Sequence, residues 1–112
     1  MAYTVSILDW AKQDIADNIN YLKQKWGIAV AKAQYTALMD RLALLATQPH
    51  MGATIDELVR LGRSDYRVLT HETHTKVLYR IDDKRQHIDI QMVFGSRQSF
   101  QDLLYKRVIR YL

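Results

Sequence analysis

Three segments in the second half of the chain alternate apolar and polar residues with a period of two, near Asp65–Thr70, Thr75–Asp82 and His87–Phe94. This period is typical of strands whose two faces meet different surroundings. The polar segments between them, Glu72-Thr73 and Asp83-Lys84-Arg85, are short enough for hairpins. The pattern predicts a three-stranded antiparallel meander, which restricts the fold more than any other feature of the chain.

The turn between the first two strands decides which residues share a face. A two-residue loop at Glu72-Thr73 places two pairs on one face, Val68 with Val77 and Tyr66 with Tyr79, and this face continues through Ile88, Ile90 and Met92. The other face then carries five residues: Arg67, Leu69, Lys76, Leu78 and Arg80. A slip of one residue would exchange the two faces, so this register is a definite prediction of a sheet with one basic face.

The first half of the chain predicts a short strand and a helix hairpin. Residues 3–8 are rich in β-forming types, Asp9 is a candidate helix N-cap, and Gly27 is a candidate helix end. Helical spacing relates two sets of residues: Ile15, Ile19, Leu22 and Trp26, and then Ala31, Tyr35, Leu38, Leu42 and Leu45. Pro49 ends the second helix because it lacks a backbone N–H. Both tryptophans, Trp10 and Trp26, are expected in the core.

The remaining segments complete a single domain over residues 1–112. Gly52 and Gly62 bracket a loop with a short helical turn near residues 56–59. Four apolar residues indicate a final amphipathic helix: Phe100, Leu103, Leu104 and Ile109. The expected fold class is α+β, with an N-terminal strand beside the meander, a long helix hairpin packed on one face of a small antiparallel sheet, and a C-terminal helix.

Charge and composition narrow the class of partner. The formal net charge is +4 and the isoelectric point is near 9.4, which favours nucleic acid or an acidic protein. Between Arg97 and Leu112 the basic residues Arg97, Lys106, Arg107 and Arg110 outnumber a single acid, Asp102. The chain has no cysteine, which fits the cytoplasm, and no apolar run approaches the roughly 20 residues that span a bilayer. We expect a cytoplasmic protein with no membrane partner.

Motifs for metal, phosphate or nucleophilic chemistry are weak. His71 and His74 flank Glu72 on a predicted turn, where this spacing does not make their side chains converge on an ion. The glycines at 27, 52, 62 and 95 are isolated, so no phosphate-binding loop is predicted. No Ser–His–Asp spacing is present. We expect no metal and no cofactor, and we expect Tyr66 and Tyr79 to be core residues.

The basic residues of the meander are the main candidates for function: Arg67, Lys76, Arg80 and Arg97. They fit an ordinary solvated face, a clamp that stabilises charge on a phosphodiester, or a surface for an acidic protein segment. Leu69, Leu78 and Val93 are predicted on the same face, and mixed apolar and basic character suits a peptide partner.

The order of elements and several motifs resemble the RelE/ParE superfamily of bacterial toxins from type II toxin–antitoxin systems. The resemblance covers about residues 3–104 and rests on five motifs: Leu8-Asp9-Trp10-Ala11 through Asp14-Ile15 and Tyr21; Lys25-Trp26-Gly27; Leu42-Ala43-Leu44-Leu45 to Pro49 and Gly52; Val77-Leu78-Tyr79-Arg80-Ile81-Asp82; and Phe94-Gly95-Ser96-Arg97-Gln98. The long hairpin with Trp26-Gly27 in its turn resembles the ParE branch more than the RelE branch.

The resemblance implies a toxin that inhibits DNA gyrase by binding and is neutralised by a cognate antitoxin in a hetero-oligomer. The alternative is a ribosome-dependent mRNA endonuclease like RelE, in which Lys76, Arg97 and Tyr105 would carry the chemistry. Leu103 stands where such ribonucleases carry a tyrosine, and no histidine lies near the C-terminus. An acid–base pair for RNA cleavage is therefore not evident.

The resemblance and the charge pattern together suggest two sets of contacts. The antitoxin would lay an acidic, partly apolar tail over the helix hairpin and the basic sheet face, at Arg67, Leu69, Lys76, Leu78 and Arg80. The target would meet Arg97, Lys106, Arg107 and Arg110. In this interpretation Phe100, Leu103 and Leu104 anchor the final helix and leave its basic residues pointing outward.

Overall fold

A computed structural model describes residues 2–72, 75–95 and 98–112. The regular elements in chain order are β1 (Thr4–Ile7), α1 (Asp9–Trp26), α2 (Ile28–Ala43), β2 (Ala53–Thr54), α3 (Asp56–Arg60), β3 (Tyr66–His71), β4 (Thr75–Asp82), β5 (His87–Gly95) and α4 (Phe100–Arg107). Short 3₁₀ turns follow α2 at Leu44–Ala46 and α4 at Ile109–Tyr111. This order confirms the predicted α+β fold.

The described strands form one sheet in the order β1-β5-β4-β3-β2. The meander β3-β4-β5 is antiparallel, as predicted, and β1 lies at one edge in parallel with β5. The other edge strand, β2, was not predicted, because two residues are too few to show an alternating pattern. The helical turn predicted near residues 56–59 is α3.

Helices cover both faces of the sheet, so the protein has two apolar layers. The hairpin α1–α2 packs on one face through a cluster that includes Ile15, Leu42, Val77, Tyr79 and Ile90. The short helix α3 and the C-terminal helix α4 pack on the other face through Leu58, Leu78, Met92, Phe94 and Leu104. The predicted core positions of Tyr66 and Tyr79 are confirmed, with 7% and 0% of their surfaces exposed.

The predicted register between β3 and β4 is wrong by one residue. Leu69 lies opposite Val77, and Val68 lies opposite Leu78. The reason is that β3 extends to His71, which pairs with Thr75, so three residues rather than two separate the strands. Because side chains alternate, the five residues assigned to one basic face separate. Arg67 and Leu69 face the hairpin, and Lys76, Leu78 and Arg80 face the side of α4.

A β-bulge moves a second group of side chains. Between β4 and β5 the register shifts after Leu78, which lies opposite Met92, whereas the next residue, Tyr79, lies opposite Ile90. The residue between them, Gln91, is the extra one. Ile90 therefore faces the hairpin but Met92 faces α4, and the predicted continuous face through Met92 is wrong. Val93 lies on the hairpin face and not beside Leu78.

The end of the hairpin is exposed. Gly27 joins the two helices with a φ of 96°, a conformation that favours glycine. In the described chain no α1 residue beyond Ile19 belongs to the core cluster. Trp26 is 61% exposed and Trp10 is 55% exposed, so the prediction that both tryptophans pack in the core is wrong. No helix in the described part of the chain combines the length and hydrophobicity that crossing a membrane requires.

Candidate functional site

Arg67 stabilises the loop before β2. Its Nη1 donates to the backbone oxygen of Gly52 at 2.7 Å, and its Nε is buried with no partner among the described residues. Beside it, the hydroxyl of Tyr79 accepts from the Gly52 N–H at 2.9 Å and donates to the oxygen of Pro49 at 2.8 Å. Burial raises the pKa of Tyr79 above its usual value, so the phenol stays protonated. This network positions a loop and leaves Arg67 only partly accessible.

Arg80 belongs to an ion-pair group with Arg63 and Asp65. Arg63 donates to both carboxylate oxygens of Asp65, at 3.1 and 2.9 Å, and the Nε of Arg80 donates at 2.8 Å. Burial alone would raise the pKa of Asp65, but these hydrogen bonds outweigh it and lower the pKa from 3.8 to about 2. The group ties the start of β3 to β4, and Arg80 shares the single negative charge of Asp65 with Arg63.

Lys76 is more exposed than Arg67 and Arg80, the other described basic residues of the meander. It lines an open groove of about 260 Å³ on the side of the sheet that α4 covers, together with Thr54, Ile55, Asp56, Glu57, Val68 and Phe100. The carboxylates of Asp56 and Glu57 would repel a phosphate at this position. No histidine, tyrosine or arginine is among the described residues that line this groove. The groove is therefore better suited to bind a peptide with both charged and apolar side chains than to bind RNA.

Arg107 does not point outward, contrary to the prediction. Its guanidinium binds the carboxylate of Asp14 on α1 through two nitrogens, with Nη2 at 2.8 Å from Oδ1. The side chains of Arg107 and Asp14 are only 24% and 12% exposed. The guanidinium also lies 5.5 Å from the ring centroid of Trp10. These contacts were missed because nothing in the sequence relates residues 93 positions apart.

The exposed cations at the C-terminus are Lys106 and Arg110. Among the described residues neither forms an ion pair with an acid. Tyr105 and Tyr111 beside them are 60% and 65% exposed, and the Arg110 guanidinium lies 5.3 Å from the Tyr111 ring centroid. We call these four residues the C-terminal surface. Arg97, predicted to act with them, lies outside the described residues.

The helix that carries this surface is anchored as predicted. Leu104 is 1% exposed, and the ring of Phe100 stacks on that of Phe94 at 5.1 Å. Leu103 also packs against the same cluster. The Ser99 side chain accepts from the Asp102 N–H and caps the start of α4. Tyr105 and Lys106 therefore stand on a packed helix, and Arg110 and Tyr111 lie on the 3₁₀ turn that follows it.

A second exposed surface lies at the end of the hairpin. We define the hairpin patch as Tyr21, Trp26, Ile28 and Val30, which are 49%, 61%, 66% and 41% exposed. Lys23, Lys25 and Lys32 surround it, and residues 18–39 contain no acid. The Nζ of Lys25 lies 5.4 Å from the Trp26 ring centroid. The absence of acidic residues between 18 and 39 marks this surface in the sequence, whereas the helical spacing of Trp26 predicts a position in the core.

The histidines do not form a recognisable site. His71 is buried on the hairpin face, and its Nε2 has no partner among the described residues. His74 lies outside the described residues. In the described chain no group of three histidine, aspartate or glutamate side chains is placed to hold a metal ion.

Comparison with known proteins identifies the family. A model of the ParE toxin of type II toxin–antitoxin systems, from parDE, matches residues 5–100. The chain belongs to the ParE toxin family. No curated protein matches the sequence of this toxin.

Solved structures share the fold of the toxin at low identity. A chain of the chromosomal ParDE system of P. aeruginosa superposes with a TM-score of 0.66 and 14% identity, over 84% of the toxin and 96% of that chain. A mutant RelE toxin of E. coli in the free state superposes with a TM-score of 0.62 and 14% identity, over 100% of the toxin and 99% of that chain. A chain of a RelBE toxin–antitoxin complex from Mycobacterium tuberculosis superposes with a TM-score of 0.54 and 21% identity, over 85% of the toxin and 99% of that chain.

The toxin's fold distributes the predicted contact residues over several places. Leu69 and Leu78 are buried in separate apolar layers, with 3% and 0% of their surfaces exposed. Of the five residues assigned to the antitoxin, Lys76 is exposed, Arg67 and Arg80 are half-buried, and Leu69 and Leu78 are buried. The assignment of these five residues to an antitoxin contact stays a prediction, but they do not form one surface in the toxin as described.

Proposed function

We propose that this toxin inhibits DNA gyrase by binding and does not act as a nuclease. The observation that carries the proposal is the C-terminal surface, where Tyr105 and Lys106 on the anchored helix α4 are exposed together with Arg110 and Tyr111 on the 3₁₀ turn that follows. Arginine and tyrosine are enriched among residues that dominate protein interfaces, because they combine contact area with polar groups. The match to the ParE model supports this choice because gyrase is the target that the resemblance to the ParE branch implies. We expect the toxin to act in the cytoplasm.

The acidic groove beside Lys76 supports binding over RNA cleavage. Cleavage of RNA requires a positioned acid and base near the phosphate. In the described chain, Lys76 instead has Asp56 and Glu57 as neighbours. Tyr105, the other described candidate of the nuclease alternative, does not line this groove. Arg97 keeps its predicted role in contacting the target.

We infer that a cognate antitoxin neutralises this toxin and that its main contact with the toxin is the hairpin patch. The solved relatives include a RelBE toxin–antitoxin complex. Three lysines without an acid between residues 18 and 39 attract an acidic segment, and exposed Trp26 and Ile28 provide apolar area for it. A disordered acidic tail that folds on binding would cover this surface. Lys76 faces α4 on the opposite side of the sheet, so it would form a separate contact.

Two activity assays separate gyrase inhibition from RNA cleavage. Purified toxin is titrated into a gyrase supercoiling reaction and, separately, into translating ribosomes with an mRNA whose cleavage is mapped by primer extension. We expect inhibition of supercoiling and no cleavage. Cleavage of mRNA on ribosomes without gyrase inhibition would establish the RelE-like alternative.

Charge removal tests the C-terminal surface. The double variant Lys106→Ala, Arg110→Ala should weaken gyrase inhibition by about tenfold or more, as expected when interface anchors are truncated. The matched control is Lys84→Ala, Arg85→Ala, which removes two positive charges from the β4–β5 turn. If both double variants inhibit gyrase as well as the natural toxin does, the C-terminal surface is not the target contact.

A further inference from the structure

Arg107 is bound differently from its neighbours in the C-terminal segment. Both terminal nitrogens of its guanidinium contact the carboxylate of Asp14, and this bidentate geometry fixes orientation as well as distance. Lys106 and Arg110 are exposed and have no acid partner among the described residues. The cation with the most contacts is therefore the least available to a target.

Asp14 is itself fixed from a second side. Its Oδ2 accepts from the backbone N–H of Val93 at 3.0 Å. This N–H lies beyond the end of β1, whose pairing with β5 runs only to Ile7 opposite Ile90. The carboxylate thus satisfies a strand-edge donor and the guanidinium together, in a position that is 12% exposed. A carboxylate held by three donors at fixed positions is a rigid attachment point.

We propose that Arg107 is a positioning residue, which holds the end of α4 against α1 through Asp14 and so orients Lys106 and Arg110. This inference rests on the proposed role of the C-terminal surface. Arg107 is the last residue of α4, and only Val108 separates it from the 3₁₀ turn Ile109–Tyr111, which carries Arg110. In the described chain the guanidinium pairs with Asp14 and lies against the Trp10 ring. Arg107 itself does not touch the target.

Substitution of Asp14 distinguishes this role from direct contact. In Asp14→Asn the amide oxygen can still accept from Val93, but the charge and the bidentate pair are lost. A directly contacting Arg107 would be released by this change, and inhibition would be unchanged or stronger. A positioning Arg107 loses its attachment point, so we expect Asp14→Asn to weaken growth inhibition by about tenfold, the effect of one charge-assisted hydrogen bond.

Arg107→Lys is the second informative variant. It keeps the positive charge but cannot reproduce the planar fork on the carboxylate. We expect it to behave like Asp14→Asn, whereas a contact that depends on charge alone would keep most of its strength. The matched control is Asp17→Asn, one turn along α1, because Asp17 accepts from Gln13 at 2.9 Å and does not pair with Arg107.

The variants are compared by inducible expression in cells and by two measurements on purified full-length toxin. Hydrogen exchange of residues 100–111 should accelerate about tenfold in Asp14→Asn and Arg107→Lys, and should not change in Asp17→Asn. A Trp26→Phe background leaves Trp10 as the single tryptophan. Its fluorescence should change when the guanidinium leaves the ring, and circular dichroism verifies that each variant is folded.

The outcomes separate this inference from the proposed function. Faster exchange with full growth inhibition in Asp14→Asn would overturn the positioning role, and so would slow exchange with unchanged Trp10 fluorescence. If the natural toxin inhibits growth but not gyrase, the proposed target fails while the comparison of variants still decides the role of Arg107. A natural toxin that does not inhibit growth at all would overturn both proposals.

Discussion

Gly52 is tightly enclosed by the sheet. A Cβ atom built on it would lie 2.7 Å from the backbone oxygen of Val68 and 2.9 Å from the Tyr79 hydroxyl. The same hydroxyl binds the Gly52 N–H and the Pro49 oxygen. The loop therefore approaches the sheet closely because residue 52 has no side chain.

Gly52→Ala should lower the free energy of unfolding by about 1–3 kcal/mol, the range for forced overpacking. The loop must move away, and the two hydrogen bonds of the Tyr79 hydroxyl weaken with it. The measurement is urea unfolding followed by circular dichroism. Ala53→Ser, at the exposed neighbouring position, is the control and should change the free energy by less than about 0.5 kcal/mol. Equal stability of the two variants would contradict the close contact.

The core position of Tyr79 could be predicted from the sequence, but its hydrogen bonds to the loop could not. Alternation in β4 correctly predicted Tyr79 as a core residue. Its hydrogen bonds to the loop were not predictable, because their partners lie 27 and 30 residues away and are backbone atoms. Backbone atoms are present at every position, so no residue type marks the ones that a side chain will reach.

The helix hairpin is the element whose surroundings matter most for function. It packs on the sheet through Ile15, Leu38 and Leu42, while the end at the α1–α2 turn carries the exposed hairpin patch. The 3.6-residue period identifies a helix but does not tell how far the sheet extends beneath it. Trp26 continues the helical spacing of apolar residues, but it lies beyond the part of α1 that packs on the sheet and is therefore exposed.

Trp26→Ser, Ile28→Ser should leave the stability of the toxin within about 0.5 kcal/mol of the natural value, because both side chains are mostly exposed. The same variant should bind the antitoxin at least about tenfold more weakly, measured by isothermal titration calorimetry with purified antitoxin. The matched control is Val59→Ser, Leu61→Ser, which replaces two other exposed apolar residues, 45% and 57% exposed, outside the hairpin. Unchanged antitoxin affinity in the hairpin variant would remove the patch from the interface.

At the scale of the whole molecule, the group formed by Arg63, Asp65 and Arg80 links folding to pH. The pKa of Asp65 falls from 3.8 to about 2 in the folded toxin, because the hydrogen bonds from Arg63 and Arg80 outweigh the effect of burial. The folded state therefore binds its proton less readily than the unfolded state does. This contribution to stability is fully present above about pH 4 and is lost as the pH falls toward 2.

Asp65→Asn should cost on the order of 1–2 kcal/mol of unfolding free energy at pH 7, allowing for solvent screening of a partly exposed group. The difference from the natural toxin should shrink below about pH 4 and vanish near pH 2. Denaturant unfolding between pH 2 and 7 measures it. Asp56→Asn, at an exposed carboxylate outside this group, serves as the control. A constant difference at every pH would exclude Asp65 as its source.

The sequence by itself determined the order of the elements except β2, the antiparallel meander, the anchored final helix and the family of this toxin. These follow from local periodicity, glycine and proline positions and short motifs, which depend on near neighbours along the chain. The tertiary structure alone decided the register, the bulge at Gln91, the exposure of Trp26 and the pairing of Arg107 with Asp14. Each of these depends on how distant segments meet, and a shift of one residue is enough to exchange the faces of a strand.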